Sequence, residues 1–307
     1  MRHIRTPTRR TLIAGLPAMA AAAALWPQGS AAKAMTKPVP SSGEAIPVIG
    51  LGSWITFNVG SDPAARAACT AVMRGFFEAG GGMIDSSPMY GSSQAVIGEG
   101  LKRLGQPAGL FSADKVWISS GERGPAQIDQ SRGHWGIGRF DLLQVHNLLS
   151  WEAHLETLQA MKAGGQLRYV GITTSEGRRH REFERIMASQ PLDFIQVSYN
   201  VLDREVEQRI LPLARERGIA VIANRPFRQG ALIDAVSKHP LPAWATEADC
   251  SSWAALLLKF IVSHPDITCA IPATSRVAHV RENMAAATGR MPDAAMRRRI
   301  IAHVEAL

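Results

Sequence analysis

From about residue 46 onward, short apolar runs alternate with longer amphipathic stretches, and no Pro/Gly/Ser-rich linker or change of composition interrupts the alternation. Eight runs read as strands: 46–54, 83–85, 110–117, 140–146, 168–173, 193–199, 219–223 and 268–271. Between them apolar residues recur at helical spacing over 63–79, 94–104, 151–162, 178–188, 204–217, 253–263 and 276–287, and a last helical segment spans 292–307. Alternation of this kind predicts parallel strands joined by right-handed helical crossovers, which excludes an all-β sandwich. Eight such units in ~270 residues predict an α/β fold that closes into a single-domain (β/α)8 TIM barrel rather than an open doubly wound sheet. The third helical interval is the weakest, because Gly133, Gly136 and Gly138 fall just before the fourth strand. Each interior glycine costs a helix ~1 kcal/mol relative to alanine. That helix is predicted to end near Arg132, followed by an irregular loop up to Phe140.

Composition bounds the function classes. With 307 residues, 46% hydrophobic and 20% charged, the chain has the material for a full core, which excludes a disordered or collagen-like protein. A net charge of +8 would ordinarily point to nucleic acid or an acidic membrane. Its distribution argues otherwise. Residues 1–34 hold Arg2, Arg5, Arg9, Arg10 and Lys33 and no acid, which leaves 29 of the 34 basic residues against all 26 acidic ones, a net +3. The densest later cluster, Arg297 to Arg299, lies on the last helical segment, where a solvated face accounts for it. No nucleic-acid partner is expected.

The N-terminus has a basic start, an apolar stretch over 12–26, and Ala32-Lys33-Ala34 before Met35, the layout of a secretory signal. The pair Arg9-Arg10 points to the twin-arginine route. Fifteen residues interrupted by Pro17 fall short of the ~20 that cross a bilayer, so residues 1–34 are read as a cleaved signal peptide and 35–307 as the mature barrel. A periplasmic or otherwise exported location follows, without stable membrane insertion. Cys69, Cys250 and Cys269 show no CxxC spacing and no paired histidines, so no metal site is expected and buried thiols are the simplest reading.

In a parallel barrel the active site lies at the carboxyl ends of the strands. The polar residues at or just after the second, third and fourth runs are Asp85 and Tyr90, Lys115, and His146. Barrel closure brings consecutive strands side by side, so an acid, a phenol, an amine and an imidazole converge. Carbonyl reduction needs a proton donor at oxygen besides a hydride donor at carbon. Tyr90 can give that proton. Lys115, oriented by Asp85, would stabilise the phenolate and bring the phenol toward useful acidity. His146 can orient the carbonyl oxygen in either protonation state. Two registers compete on the third strand, one ending at Lys115 and one that places Gly121 where the amine is needed. The first is preferred because 110–117 reads as one strand. Strand alternation turns the adjacent Asp114 away from the site.

Taken with the Thr173-Thr174 turn, the 194–200 strand and the segment from Ile271 to Asn283, these motifs resemble the aldo/keto reductases over nearly the whole mature chain. The resemblance places the catalytic tetrad on Asp85, Tyr90, Lys115 and His146. It also implies NADP(H) as cofactor and a small-molecule carbonyl as substrate. Gln196, Thr173 and Thr174 match its carboxamide contacts, with Thr174 in place of the usual asparagine, and Glu282 and Asn283 match its adenine contacts. The loop carrying Thr274 and Ser275 leads into a helix whose N-terminus favours an anion, where Arg276 or His279 can clasp a 2′-phosphate. Arg225, after the seventh strand, can reach the pyrophosphate. Trp54 and Trp117 would line the substrate mouth, whereas Trp151 is read equally well as the start of a helix. No long C-terminal loop follows the last helix, so a permissive pocket is expected. No GxGxxG follows a strand, which argues against a Rossmann domain. The competing reading is an exported nucleotide-binding sensor or binding subunit with little turnover. A barrel hydrolase lacks the paired strand-end glutamates it would need.

Overall fold

The computed structural model describes residues 34–307. Apart from Ala34, the predicted leader lies outside the described residues. Eight parallel strands form one sheet in chain order: β3 (Leu51–Gly52), β4 (Met83–Asp85), β5 (Phe111–Val116), β6 (Phe140–Val145), β7 (Leu167–Thr173), β8 (Phe194–Ser198), β9 (Ala220–Asn224) and β10 (Cys269–Ala270). The sheet closes on itself through parallel bridges Ile49–Ala270 and Gly52–Ala273, with the Gly50 amide 2.8 Å from the Ala270 oxygen. The seam is tight. A Cβ on Gly52 would lie 2.7 Å from the Ile271 carbonyl oxygen, so only glycine fits there. The predicted single-domain barrel is therefore borne out.

Around the sheet lie α1 (Pro63–Glu78), α2 (Ser93–Arg103), α3 (Gly124–Trp135), α4 (Trp151–Ala163), α5 (His180–Ser189), α6 (Ile210–Arg217), α7 (Ala231–Val236), α8 (Trp253–Val262), α9 (Val277–Ala285) and α10 (Ala294–Glu305). Helix α1 shows how its sequence sets its start: Pro63 occupies the first position and the Asp62 carboxylate accepts from the Ala64 and Ala65 amides.

Period-two alternation divides the strand side chains between two cores. Ile84, Leu143, Val145, Val170, Ile172 and Ile195 face the helices in the main cluster. Met83, Phe111, Ala113, Leu142, Tyr169, Phe194 and Ile222 fill the barrel interior. Lys115 stands two residues beyond Ala113 and is therefore interior, and Asp114 faces outward.

Three features depart from the sequence pattern. The first apolar run splits: β2 (Ala45–Pro47) pairs antiparallel with β1 (Thr36–Pro38), and residues 49–52 join the barrel. Val39 and Ile46 of this hairpin join the interior cluster and close the end of the barrel opposite the site. Second, α3 continues three residues past Arg132, through Gly133, to Trp135. Tertiary contact outweighs the glycine penalty there. Trp135 is fully buried, packs edge-on against Phe140 at 5.5 Å and donates its indole N–H to Asp114 Oδ2 at 2.6 Å. Gly136 then ends the helix at φ 65°, returning its amide to the Arg132 oxygen at 2.9 Å. Third, the stretch 204–217 yields a short 3-10 turn (Glu205–Glu207) before α6, and α7 together with the turn Ala243–Ala248 fills an interval that shows no clear period. The three cysteines are buried and unpaired.

Candidate active site

The interior positions at the carboxyl ends of the strands are polar, in contrast to the apolar layers below. Parallel register sets Gly52 beside Asp85, Asp85 beside Ala113 and Lys115 beside Gln144. Lys115 therefore reaches up and across to Asp85. Its Nζ lies 2.5 Å from Asp85 Oδ1 and 2.7 Å from the Ser86 carbonyl oxygen, and both side chains are sealed from solvent. Asp85 Oδ2 accepts from Gln196 Nε2 at 3.0 Å and from Gln144 Nε2 at 3.4 Å. Gly121, the alternative to the lysine, sits in the turn Gly121–Arg123, where a Cβ would meet Ala153 of α4 at 2.5 Å.

Tyr90 is carried by the 3-10 turn Pro88–Tyr90 after β4, whose start is capped by the Ser87 hydroxyl accepting from the Met89 amide at 3.2 Å. The Lys115 ammonium lies 5.1 Å from the centre of the Tyr90 ring. His146, directly after β6, meets that ring edge to face at 5.7 Å. Its Nδ1 is 2.8 Å from the Ser87 hydroxyl.

Burial acts to lower the Lys115 ammonium, but the Asp85 carboxylate, joined by Tyr90 once it ionises, outweighs it, and the net direction is upward. Lys115 is a cation. Burial pushes the Tyr90 phenol above its ordinary value against the pull of Lys115. Lys115 acts on the phenol in the expected direction, but loss of water around a phenolate is the larger effect, so Lys115 only limits the rise. Burial, with Lys115 adding to it, drives His146 down to about 2. The imidazole is neutral, which removes the second protonation state left open by the sequence. Asp114, facing the helices, accepts from Trp135 and from Gln94 Nε2 at 2.8 Å, and burial raises its carboxyl to about 7.

Above these groups lies a cavity of about 650 Å³. Its walls include Trp54, Asp85, Tyr90, His146, Thr173, Gln196, Arg225, Thr274, His279, Glu282 and Asn283. Eleven residues singled out by sequence thus share one space. The others take different places. Trp117 is 40% exposed and is not among the cavity-lining residues, its ring 6.5 Å from that of His146. Thr174 donates its hydroxyl to the Arg178 oxygen at 2.6 Å and does not line the cavity. Of the eleven, Arg225 is already paired with Glu176 at 2.7 Å. Ser275 and Arg276 are exposed at the start of α9, where Thr274 Oγ1 accepts from the Arg276 amide at 3.1 Å. Among the described residues Arg276 forms no salt bridge.

Sequence reasoning missed Gln144, Ser87, Asn224 and Glu176. Gln144 was accessible, since it lies two residues before His146 on the same strand face. Ser87 and Glu176 lie in loops without a period, and only the packed structure shows what they touch. The apolar lining was also only partly foreseen, because Ile55 and Met89 join Trp54 there.

The model of the aldo/keto reductase family matches residues 48–300. Methylglyoxal reductase YeaE of Escherichia coli (strain K12) is 26% identical over 255 residues, covering 81% of this chain and 88% of the relative. Among solved structures, aldo-keto reductase AKR11C1 of Bacillus halodurans superposes with a TM-score of 0.72 at 20% identity, over 88% of this chain and 96% of that one. An aldo/keto reductase of Klebsiella pneumoniae, solved with NADP and acetate, gives a TM-score of 0.70 at 23% identity, over 84% of this chain and 93% of that one. At these identities the structural likeness speaks to the fold.

Proposed function

The chain belongs to the aldo/keto reductase family, and from that premise we propose that this oxidoreductase reduces small aldehydes and ketones with NADP(H), Tyr90 giving the proton. The observation that carries the reading is the buried Lys115 cation, fixed by Asp85 below the Tyr90 ring and beside a neutral His146. A structural ion pair needs no phenol and imidazole gathered over it at the floor of a cavity. This favours turnover over a nucleotide sensor.

The residues present fit a dinucleotide. Amide and hydroxyl groups of Thr173, Gln196 and Asn224 lie near the floor, and Thr274, His279, Glu282 and Asn283 lie toward the start of α9, all on one continuous cavity. Held by these residues, NADPH would supply the hydride that the carbonyl carbon needs. Tyr90 passes its phenolic proton to the carbonyl oxygen, which leaves a phenolate beside Lys115. Lys115 stabilises that phenolate, and Asp85 keeps the ammonium in place. His146 orients the carbonyl oxygen. Trp54, Met89 and Phe227 supply apolar walls. A methylglyoxal reductase among the relatives supports a small aldehyde as substrate. Loss of reduced-nicotinamide absorbance on adding a panel of aldehydes tests the reading, and nucleotide binding with no turnover on any carbonyl would favour the sensor.

NADP(H) is expected to be preferred over NAD(H), because the Arg276 guanidinium, exposed beside the cavity residue Thr274 and in no salt bridge among the described residues, can fork onto a 2′-phosphate. Arg276→Ala should weaken NADPH binding by ~1.5–3 kcal/mol and leave NADH nearly unchanged. Fluorescence titration with both nucleotides measures this, and equal affinity of the wild type for the two sinks the assignment.

The twin-arginine reading of residues 1–34 supports export of the folded barrel to the periplasm or beyond, with the mature chain starting near Met35. Replacing both Arg9 and Arg10 by lysine should retain the protein in the cytoplasm with its leader attached. N-terminal sequencing of exported protein that still began before Arg9 would overturn the cleavage.

A further inference from the structure

Ser87 follows Asp85 by two residues, and its side chain is fully buried. Its hydroxyl oxygen stands 2.8 Å from His146 Nδ1 and accepts from the Met89 amide at 3.2 Å. An amide N–H only donates, so it occupies a lone pair of the hydroxyl and leaves the hydroxyl proton to be placed. Among the described residues, His146 Nδ1 is the acceptor within its reach. We infer that Ser87 is a positioning residue: it donates to Nδ1 and so fixes His146 in the tautomer that carries its proton on Nε2.

Two further observations agree. The ring is neutral, because burial first and the Lys115 charge second oppose its protonation, so only one ring nitrogen carries a hydrogen. The opposite tautomer would aim Nδ1–H at the Ser87 oxygen and leave the hydroxyl proton without an acceptor in a sealed site, an arrangement that buried donors avoid. Nε2, in turn, makes no hydrogen bond among the described residues and is not among the buried polar atoms left without a partner, while His146 lines the cavity.

The consequence for chemistry is specific and rests on the proposed carbonyl reduction. With its proton on Nε2, His146 presents a donor to the cavity, and a carbonyl oxygen can accept from it and from the Tyr90 hydroxyl together. The wrong tautomer would present a lone pair to a lone pair. Ser87 also caps the turn that carries Tyr90, so one hydroxyl aligns both the proton donor and the orienting ring.

The test is 15N spectroscopy of the purified protein, with the His146 ring signals assigned by their loss in His146→Gln, alongside steady-state kinetics. Wild type should show the Nε2–H pattern without any substrate. Ser87→Ala should give a mixed or Nδ1–H signal and lower kcat by about ten- to a hundredfold, less than the loss of an oxyanion donor outright. Its nucleotide affinity should stay unchanged, and Ser87→Thr, which keeps the hydroxyl, should restore both signal and rate. A wild-type ring protonated on Nδ1 overturns the inference with no variant needed, and so does Ser87→Ala with an unaltered tautomer. A wild type with the Nε2–H tautomer and no carbonyl turnover would overturn the proposed reaction while leaving the role of Ser87 intact.

Discussion

Tyr90→Phe is expected to lower the rate of carbonyl reduction by ~10²–10⁴, the range for loss of a positioned general acid, while nucleotide affinity stays within a few fold. The reasoning is geometric. Tyr90 lines the cavity, so its hydroxyl can meet substrate, whereas its ring supplies the edge-to-face contact with His146, which phenylalanine retains. The pH dependence has a defined sign. Because burial holds the phenol above its ordinary value, Tyr90 is protonated throughout the neutral range and serves as an acid there. Activity in the reductive direction should therefore fall only on the alkaline side, and that limb should vanish in Tyr90→Phe. Unchanged turnover in this variant would remove Tyr90 from the reaction.

Lys115→Met should damage both rate and stability, and the two effects can be separated. It removes the cation next to the phenol, so the rate should fall by a factor comparable to Tyr90→Phe and the alkaline limb should move to higher pH, since Lys115 is the group that limits the rise of Tyr90. It also leaves the sealed Asp85 carboxylate without its counter-ion. Breaking one side of a buried pair costs ~3–5 kcal/mol. The double variant Asp85→Asn/Lys115→Met removes both charges and should recover most of the stability but none of the rate, as read by thermal unfolding and nicotinamide absorbance. The pair also has a linkage sign. Lys115 is held above its ordinary value in the fold, so its contribution is complete below that value and is lost only as pH rises through the folded one, on the strongly alkaline side. A single variant as stable and as active as wild type would mean that Lys115 does not tune the phenol.

Much of the barrel is legible in the sequence because its two periods are physical consequences of the elements themselves. A strand exposes successive side chains to opposite faces, and a helix brings every third or fourth to one face, so alternating apolar runs declare both the elements and their parallel order. The same logic placed Lys115 inside and Asp114 outside, and the structure shows each where alternation puts it: one on Asp85, the other on Trp135 and Gln94. The order of the motifs along consecutive strands was enough to bring Asp85, Tyr90, Lys115 and His146 to one end of the barrel. Local rules failed where a distant contact outweighed them. Helix α3 runs through Gly133 because Trp135 finds a buried hydrogen bond and an aromatic neighbour, and the β1–β2 hairpin forms because Val39 and Ile46 complete an interior that the strands leave open.

Which residue types stand at the strand ends, and in what order, follows from chain spacing. Their chemical state follows from packing. Burial, which no local pattern measures, outweighs Lys115 at the Tyr90 phenol and keeps His146 neutral. Which nitrogen of that ring keeps its proton depends on a hydroxyl 59 residues away in the chain, and Arg225 and Thr174 are already engaged by loop partners. Charge and hydrogen-bond state depend on what lies within a few ångströms, and that is fixed only when the barrel closes.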